Sequence, residues 1–279
     1  MSAARFSRLN PLLAKVIAFP GARALWRKWP IGSVETRAAF DVSSHAPYLF
    51  GVLSAAQLAM CLGVPAISVA EFGVAGGRGL LALEKLSREV SEATGVRVDV
   101  FGFDSGSGMP EASDYRDLPH VWAKGFYQMD VEALRRRLTS AQLVIGDVGE
   151  TIPAWATRTD LAPIGFLAFD LDYYTSTTKA LRAFDGGAAS RLPRVFCYFD
   201  DVIWPSYACH NEFVGELLVI REFNSAHADR KLCPIHLLRH TRLIPAAWND
   251  QMYVLHDFAH PLYAVNITLR NKVGTQQPL

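Results

Sequence analysis

Cysteine is scarce in this sequence and is never closely paired. The chain of 279 residues contains four cysteines, Cys61, Cys197, Cys209 and Cys233, and no C-x-x-C spacing occurs. Four cysteines are too few for a disulfide framework in a chain of this length. We therefore expect reduced thiols.

Long apolar runs and an excess of charge of one sign are also missing. No segment approaches the roughly 20 apolar residues that cross a bilayer, and the apolar run at 14–19 is too short for the core of a signal peptide. Lysine plus arginine number 28 against 27 aspartate plus glutamate, a net charge of +1. Proteins that bind nucleic acid usually carry a larger basic excess. We expect a cytoplasmic protein without stable membrane insertion and without a nucleic-acid partner; a homo-oligomer stays open.

Short apolar runs that alternate with helical patterns are present instead. Such alternation is typical of βαβ units, which form parallel sheets with helices on both faces. Five of these runs end in an acid and cover residues 67–71, 98–104, 143–147, 164–170 and 195–201. Two later runs, at 232–238 and 251–256, lack a clear crossover helix between them. The sequence predicts an α/β fold with a doubly wound, mainly parallel sheet of seven strands and an antiparallel edge strand.

The remaining segments predict how the domain is organised. Residues 1–62 are expected to form a mostly helical N-terminal cap at one end of the sheet, and residues 63–279 the ligand-binding domain. The long stretch at 105–138 is rich in Pro, Tyr and Trp. Long loops of this kind often cover a functional site. We therefore predict that it forms a lid.

A glycine loop follows the first predicted strand. Glu71 ends the strand, and Gly73, Gly76, Gly77 and Gly79 follow within eight residues. Glycines let the chain turn sharply and let a ligand approach the backbone, while the next helix offers free N–H groups. The acid would repel a pyrophosphate but suits a ligand with a positive charge or an amino group. The loop predicts a nucleotide-type site for a ligand such as S-adenosylmethionine.

A dinucleotide site is the alternative interpretation of the same glycines. Gly77, Gly79 and Ala82 also satisfy the pattern G-x-G-x-x-G/A. In that fold the first glycine lies at the turn after the strand, whereas Gly77 comes six residues after Glu71. No Tyr-x-x-x-Lys set is present either. An NAD(P)-dependent oxidoreductase is therefore the disfavoured alternative.

The acid and its glycine loop resemble the first motif of the class I S-adenosylmethionine-dependent methyltransferases. The resemblance implies a Rossmann-like methyltransferase fold for residues 63–279, with S-adenosylmethionine as methyl donor. It implies that Asp104, with Ser105 beside it, holds the ribose hydroxyls, a role that suits a carboxylate acceptor. It places Gly146 and Asp147, after the third strand, beside the adenine.

Aspartates after the fourth and fifth strands carry a more specific resemblance. Asp170 and Asp172 open a D-x-D-x-Y-x-S-T stretch and Asp200 and Asp201 form a D-D pair, which resembles the macrocin O-methyltransferase family over roughly residues 65–215. The resemblance implies a divalent metal held by Asp170 or Asp172 together with Asp200 and Asp201. Carboxylate oxygens suit Mg²⁺. The alternative is that some of these acids are helix N-caps or solvated loop residues.

The sequence departs from the family pattern inside this stretch, where Leu171 replaces a usual glycine and Tyr173 a usual leucine. These changes bear on the loop geometry, and hence on metal dependence and on the substrate.

Together these features predict an O-methyltransferase that acts on a hydroxyl of a small molecule, a sugar or a natural product. Asp170 and Asp172 are the candidate catalytic acids, and His210 is a third candidate because it follows the D-D pair by nine residues. A catalytically silent methyltransferase-like binding module remains the second alternative to this activity.

Overall fold

Seven strands form one sheet in the computed structural model, which describes residues 19–268. They are β1 (Ala66–Phe72), β2 (Arg97–Asp104), β3 (Gln142–Ile145), β4 (Ile164–Phe169), β5 (Arg191–Phe199), β6 (Arg230–Pro234) and β7 (Met252–Asp257). Their order across the sheet is β3-β2-β1-β4-β5-β7-β6. The part of the predicted N-terminal cap at residues 1–18 lies outside the described residues.

Strand direction agrees with the prediction. The neighbours from β3 to β5 pair in parallel, whereas β7 runs antiparallel to both β5 and β6. The chain reverses its direction of progress across the sheet between β1 and β4. In an open sheet, ligands bind beyond the carboxyl ends of the strands at such a switch point. The fold prediction is confirmed.

Helices cover both faces of this sheet. Those of the described part of the chain are α1 (Pro20–Lys28), α2 (Val34–Ala39), α3 (Ala46–Leu62), α4 (Arg78–Thr94), α5 (Val131–Arg137), α6 (Val148–Ala156), α7 (Tyr174–Ala180), α8 (Gly215–Ala226) and α9 (Leu238–Thr241). Between residues 19 and 268 no helix combines the length and the apolar character needed to span a bilayer.

Alternation along the strands builds a core on each face. Ile67 and Val69 point into one cluster with Leu49 and Val52 of α3, and Phe72 points into the other with Ile152 of α6. Successive side chains of a strand face opposite sides of the sheet, so one apolar run supplies both cores. Because α3 packs on the sheet itself, the segment predicted as a cap shares its core with the sheet.

One helix position tests this packing. A Cβ at Gly51 of α3 would lie 2.2 Å from Cε2 of Phe166, whose ring in β4 is fully buried. We expect Gly51→Ala to destabilise the protein by about 1–3 kcal/mol through overpacking, although alanine gains about 1 kcal/mol in helix propensity. Chemical denaturation measures the change.

Gln57→Ala at a half-exposed position of the same helix is the matched control and should change stability by less than about 0.5 kcal/mol. A Gly51→Ala protein as stable as the unaltered chain would contradict the described contact between α3 and β4.

Candidate active site

A cavity of about 1540 Å³ opens at the carboxyl ends of the central strands. Nearly every residue singled out from the sequence lines it. Those residues are Glu71, Gly73, Gly76, Gly77, Gly79, Asp104, Ser105, Gly146, Asp147, Asp170, Asp172, Asp200 and Asp201. His210 does not belong to the lining. Segments that are far apart in sequence therefore meet at one place.

The carboxylate of Asp104 holds the glycine loop. Its Oδ2 accepts hydrogen bonds from the backbone N–H groups of Val74 and Ala75, both at 2.9 Å. Its Oδ1 accepts the N–H of Gly106 at 2.7 Å. A carboxylate has about four acceptor positions, so the side chain keeps some capacity for a ligand. Asp104 thus ties the loop after β1 to the loop after β2.

Glu71 is a buried acid with one oxygen left without a partner. The hydroxyl of Tyr48, at the start of α3, donates to Oε1 at 2.6 Å, whereas Oε2 is buried and has no hydrogen-bond partner among the described residues. Burial raises the pKa of Glu71 to about 8; the Tyr48 hydrogen bond lowers it and the nearby Asp104 raises it further. A cationic or N–H-bearing ligand would give this buried oxygen the hydrogen-bond partner that it lacks.

The glycines of the loop serve different purposes. A Cβ at Gly73 would lie 1.7 Å from the backbone oxygen of Asp170, and one at Gly79 would lie 1.8 Å from Oε1 of Glu71. A Cβ at Gly77 would meet Leu134 at 2.4 Å. Only at Gly76, of these four, would a side chain find open space. The other three glycines are required by contacts within the protein, while all four line the cavity, so their role toward a ligand stays a prediction.

The polar groups near the third strand mainly hold the loops. Asp147 caps α6 by accepting the N–H of Gly149 at 2.7 Å, and it forms an ion pair with Lys179 at 3.0 Å. The Lys179 hydrogen bond lowers the pKa of Asp147. The hydroxyl of Ser105 donates to the backbone oxygen of Gly108 at 3.1 Å. These side chains line the cavity but are already engaged.

Three aspartates converge at the other side of the cavity. Carboxylate oxygens of Asp170, Asp172 and Asp201 lie within 4.8 Å of one another. Burial raises the pKa of each, and the neighbouring negative charges raise it further. Closely spaced hard oxygen ligands of this kind fit a divalent cation, which would relieve their repulsion. We call this group the aspartate triplet.

The local backbone explains why these acids meet. Asp172 has a left-handed backbone with φ of 60°, and its N–H donates to Oδ2 of Asp201 at 3.0 Å. The indole of Trp204 donates to the other oxygen of Asp201 at 2.8 Å. The N-cap of α7 is Tyr173, without a side-chain cap, and Asp201 is buried. The alternative that Asp172 is an N-cap and Asp201 a solvated acid is therefore wrong.

The two acids of the D-D pair have different surroundings. Asp200 lies outside the triplet, and its carboxylate accepts a hydrogen bond from the hydroxyl of Tyr198. Gln251 fixes the backbone there by donating to the Asp200 carbonyl at 2.6 Å. Asp200 nevertheless lies near the triplet, because its negative charge raises the pKa of all three members. The expected metal set with both Asp200 and Asp201 stays a prediction, of which the structure brings Asp201 into the triplet.

His210 lies behind the cavity wall. Its Nδ1 lies 2.8 Å from the backbone oxygen of Asp201, and its ring stacks on Trp204 at 5.7 Å between centroids. Burial lowers its pKa. The proposed catalytic role requires access to a substrate, which this position does not give. His210 instead supports Trp204 and the Asp201 backbone.

The segment at residues 105–138, predicted to form a lid, is anchored to α7, the helix that follows β4. Asp117 is fully buried and accepts the N–H of Thr175 at 2.9 Å and that of Ser113 at 2.8 Å. The hydroxyl of Tyr173 donates to the backbone oxygen of Pro110 at 3.2 Å. Tyrosine at 173, the departure from the family pattern, therefore supplies a contact that a leucine lacks.

Aromatic rings from the segment at residues 105–138 and from the loop after β5 form a wall of the cavity near the aspartate triplet. Trp122 and Trp204 pack edge to face at 4.7 Å, and Tyr127 contacts Trp122 at 6.2 Å. All three line the cavity. Trp122 and Tyr127 belong to the stretch at 105–138 whose aromatic content is visible in the sequence, whereas no motif marks Tyr48 or Asp117.

Comparisons with known proteins support the fold. Neither a protein-family model nor a curated protein matches the chain. Among solved structures, the calicheamicin methyltransferase CalS11 is 22% identical, with 88% of this chain and 93% of that chain covered and a TM-score of 0.50. The O-methyltransferase NovP is 17% identical, with 76% and 79% covered and a TM-score of 0.49. An O-methyltransferase from Bacillus cereus, solved with S-adenosylhomocysteine, is 12% identical, with 73% and 78% covered and a TM-score of 0.36.

The likeness to CalS11 shows that the chain has the class I methyltransferase fold. The finer resemblance to the macrocin O-methyltransferase family stays a prediction.

The buried acid of the glycine loop makes stability depend on pH. The folded protein keeps the Glu71 proton up to a pH of about 8, whereas the unfolded chain loses it near the ordinary pKa of 4.5. The folded state then binds more protons between these values, so its stability falls as the pH rises. Glu71→Gln should reduce this fall by about 1.4 kcal/mol per pH unit between roughly pH 5.5 and 7.5.

Denaturation curves across this range measure the slope, and Glu92→Gln at an exposed position is the control. Identical slopes for Glu71→Gln and the unaltered chain would show that Glu71 is not a buried, protonated acid.

Proposed function

We propose that this protein is an S-adenosylmethionine-dependent O-methyltransferase that methylates a hydroxyl group of a small molecule. One observation carries the proposal: in a methyltransferase fold, the unpartnered Oε2 of Glu71 lies in the same cavity wall as the open side of Gly76. A buried acceptor without a partner, in the wall of a cavity that leaves room at Gly76, suits a ligand with an amino group and an extended body.

The residues present fit the donor. Glu71 would accept a hydrogen bond from its ammonium group, and Asp104 would use its remaining acceptor capacity for the ribose hydroxyls. A cation near Glu71 favours the carboxylate form, so donor binding would release a proton at neutral pH. S-adenosylmethionine, when bound, supplies the methyl group. Ordinary ligand sites measure roughly 300–1000 Å³, so the cavity of about 1540 Å³ has room for donor and acceptor side by side.

The residues on the side of the cavity opposite the glycine loop fit a methyl acceptor and a metal. Asp170, Asp172 and Asp201 would hold Mg²⁺, which lowers the pKa of a hydroxyl bound to it. Asp200 lines the cavity outside the triplet and is free of that role, so its carboxylate can take the hydroxyl proton. The acceptor oxygen forms the new O–C bond as the S–C bond of the donor breaks. The aromatic wall of Trp122, Trp204 and Tyr127 suits a ring-bearing acceptor.

The donor site is tested by filling the open side of the loop. Gly76 has no left-handed backbone, a Cβ there meets nothing within 4 Å, and the residue lines the cavity, so we expect Gly76→Val to fold normally and to narrow the donor site. We expect S-adenosylhomocysteine to bind at least about tenfold more weakly, a loss of about 1.4 kcal/mol. Calorimetric titration measures the affinity.

Gly187→Val is the matched control, since a Cβ at Gly187 also meets nothing within 4 Å and Gly187 does not line the cavity. Equal donor affinity in the two valine variants, or NAD binding in place of S-adenosylhomocysteine, would overturn the donor assignment.

The metal assignment is tested by a pair of aspartate variants. Asp170→Asn should weaken Mg²⁺ binding and lower methyl transfer by about 100-fold or more, because an amide is neutral and a poorer ligand. Asp200→Asn should keep Mg²⁺ binding and lose methyl transfer, since Asp200 lies outside the triplet. Donor affinity should be unchanged in both variants.

Calorimetry with Mg²⁺ and methyl transfer with and without EDTA separate these effects. Activity that survives EDTA would show that methyl transfer needs no metal. Mg²⁺ binding that is lost in Asp200→Asn but kept in Asp170→Asn would show that the roles of the two aspartates are reversed. A protein that binds the donor and methylates none of a panel of hydroxylated metabolites would favour the silent binding module.

A further inference from the structure

A second, smaller cavity adjoins the first. It measures about 320 Å³ and shares three lining residues, Ser44, Pro47 and Trp248, with the large cavity. Its other side is formed by α1 and by the loop at residues 244–246. A ligand that occupies both cavities would pass these three shared residues.

Two arginines of α1 line this second cavity and form no ion pair among the described residues. Arg23 and Arg27 are four residues apart and therefore lie on the same face of the helix, where like charges repel. Within residues 19–268 neither forms an ion pair; Arg23 makes no side-chain hydrogen bond, and its Nε is buried and unpartnered. Arg27 makes one hydrogen bond, from Nε to the backbone oxygen of Asp41 at 3.2 Å.

The acid in this cavity has closer partners than the arginines of α1. The carboxylate of Asp41 is buried, and its Oδ1 pairs with the guanidinium of Arg242. Its Oδ2 accepts the indole N–H of Trp248 at 3.1 Å. The charge of Arg23 also acts on Asp41 and lowers its pKa. Three arginines, Arg23, Arg27 and Arg242, thus surround one aspartate, which leaves an excess of two positive charges.

We propose that this arginine pocket, lined by Arg23, Arg27 and Trp248, binds an anionic oxygen group of the acceptor. This inference rests on the proposed function, whose acceptor it specifies as an anionic small molecule. A guanidinium presents paired N–H donors that match the oxygens of a phosphate ester or a carboxylate. The neutral part of the acceptor extends past Pro47 and Trp248 into the large cavity, where the reacting hydroxyl meets the aspartates.

The test is the binding of simple anions to the protein. Pyrophosphate and malonate are titrated by calorimetry into the unaltered chain and into the double variant Arg23→Gln/Arg27→Gln, with and without saturating S-adenosylhomocysteine. We expect at least one anion to bind the unaltered chain and to bind the double variant about tenfold or more weakly. Preference for pyrophosphate indicates a phosphate ester, and preference for malonate indicates a carboxylate.

Arg88→Gln/Arg136→Gln is the matched control, because both arginines are exposed and lie outside the two cavities. It should bind the anions like the unaltered chain. Failure of both anions to bind, or equal binding to the Arg23→Gln/Arg27→Gln variant, would overturn the proposal.

S-adenosylhomocysteine affinity in the same preparations keeps the two proposals distinguishable. The Arg23→Gln/Arg27→Gln variant should bind it with unchanged affinity. If the unaltered chain does not bind S-adenosylhomocysteine but its anion binding depends on the two arginines, the proposed function fails and the anion pocket stands. If donor binding is normal and anion binding does not depend on the arginines, the pocket fails and the proposed function stands.

Discussion

The hydrogen bonds of the Asp104 carboxylate are the constraint on which the site depends. One side chain at the end of β2 accepts the N–H groups of Val74 and Ala75 from the neighbouring loop and that of Gly106 from its own. Charge-assisted bonds of this kind are short and strong. They fix the path of the glycine loop, and with it the open side of Gly76, before any ligand arrives.

An apolar layer of buried phenylalanine rings lies at the ends of the central strands, next to the acids. Phe72, Phe103, Phe169 and Phe199 end or nearly end the four central strands, and the rings of Phe169 and Phe199 stack at 4.5 Å. These fully buried rings exclude water from below. Carboxylates next to such an apolar layer lose solvation and repel one another, which raises the pKa of each member of the aspartate triplet. The folded chain therefore holds electrostatic repulsion that a bound cation or proton relieves.

The parts of the structure that could be predicted from the sequence follow from periodicity and topology. Parallel strands bring their carboxyl ends to one edge, so acids such as Asp104 and Asp170 had to meet there. The rest depends on where side chains turn after a strand ends. Asp201 belongs to the triplet whereas Asp200 is held by Tyr198, and Nδ1 of His210 lies against the backbone oxygen of Asp201. Tyr48 and Asp117 act through tertiary contacts from distant segments, which no local pattern records.

The close approach of Glu71 to Gly79 restricts which residues related proteins can carry at these two positions. The space that a side chain at position 79 would need is occupied by the carboxylate at position 71, with only 1.8 Å between Oε1 and an added Cβ. A relative with alanine or serine at 79 would need a different orientation of the Glu71 carboxylate, a shorter residue at 71 or a wider separation of strand and helix. We therefore expect substitutions at these two positions to be coupled.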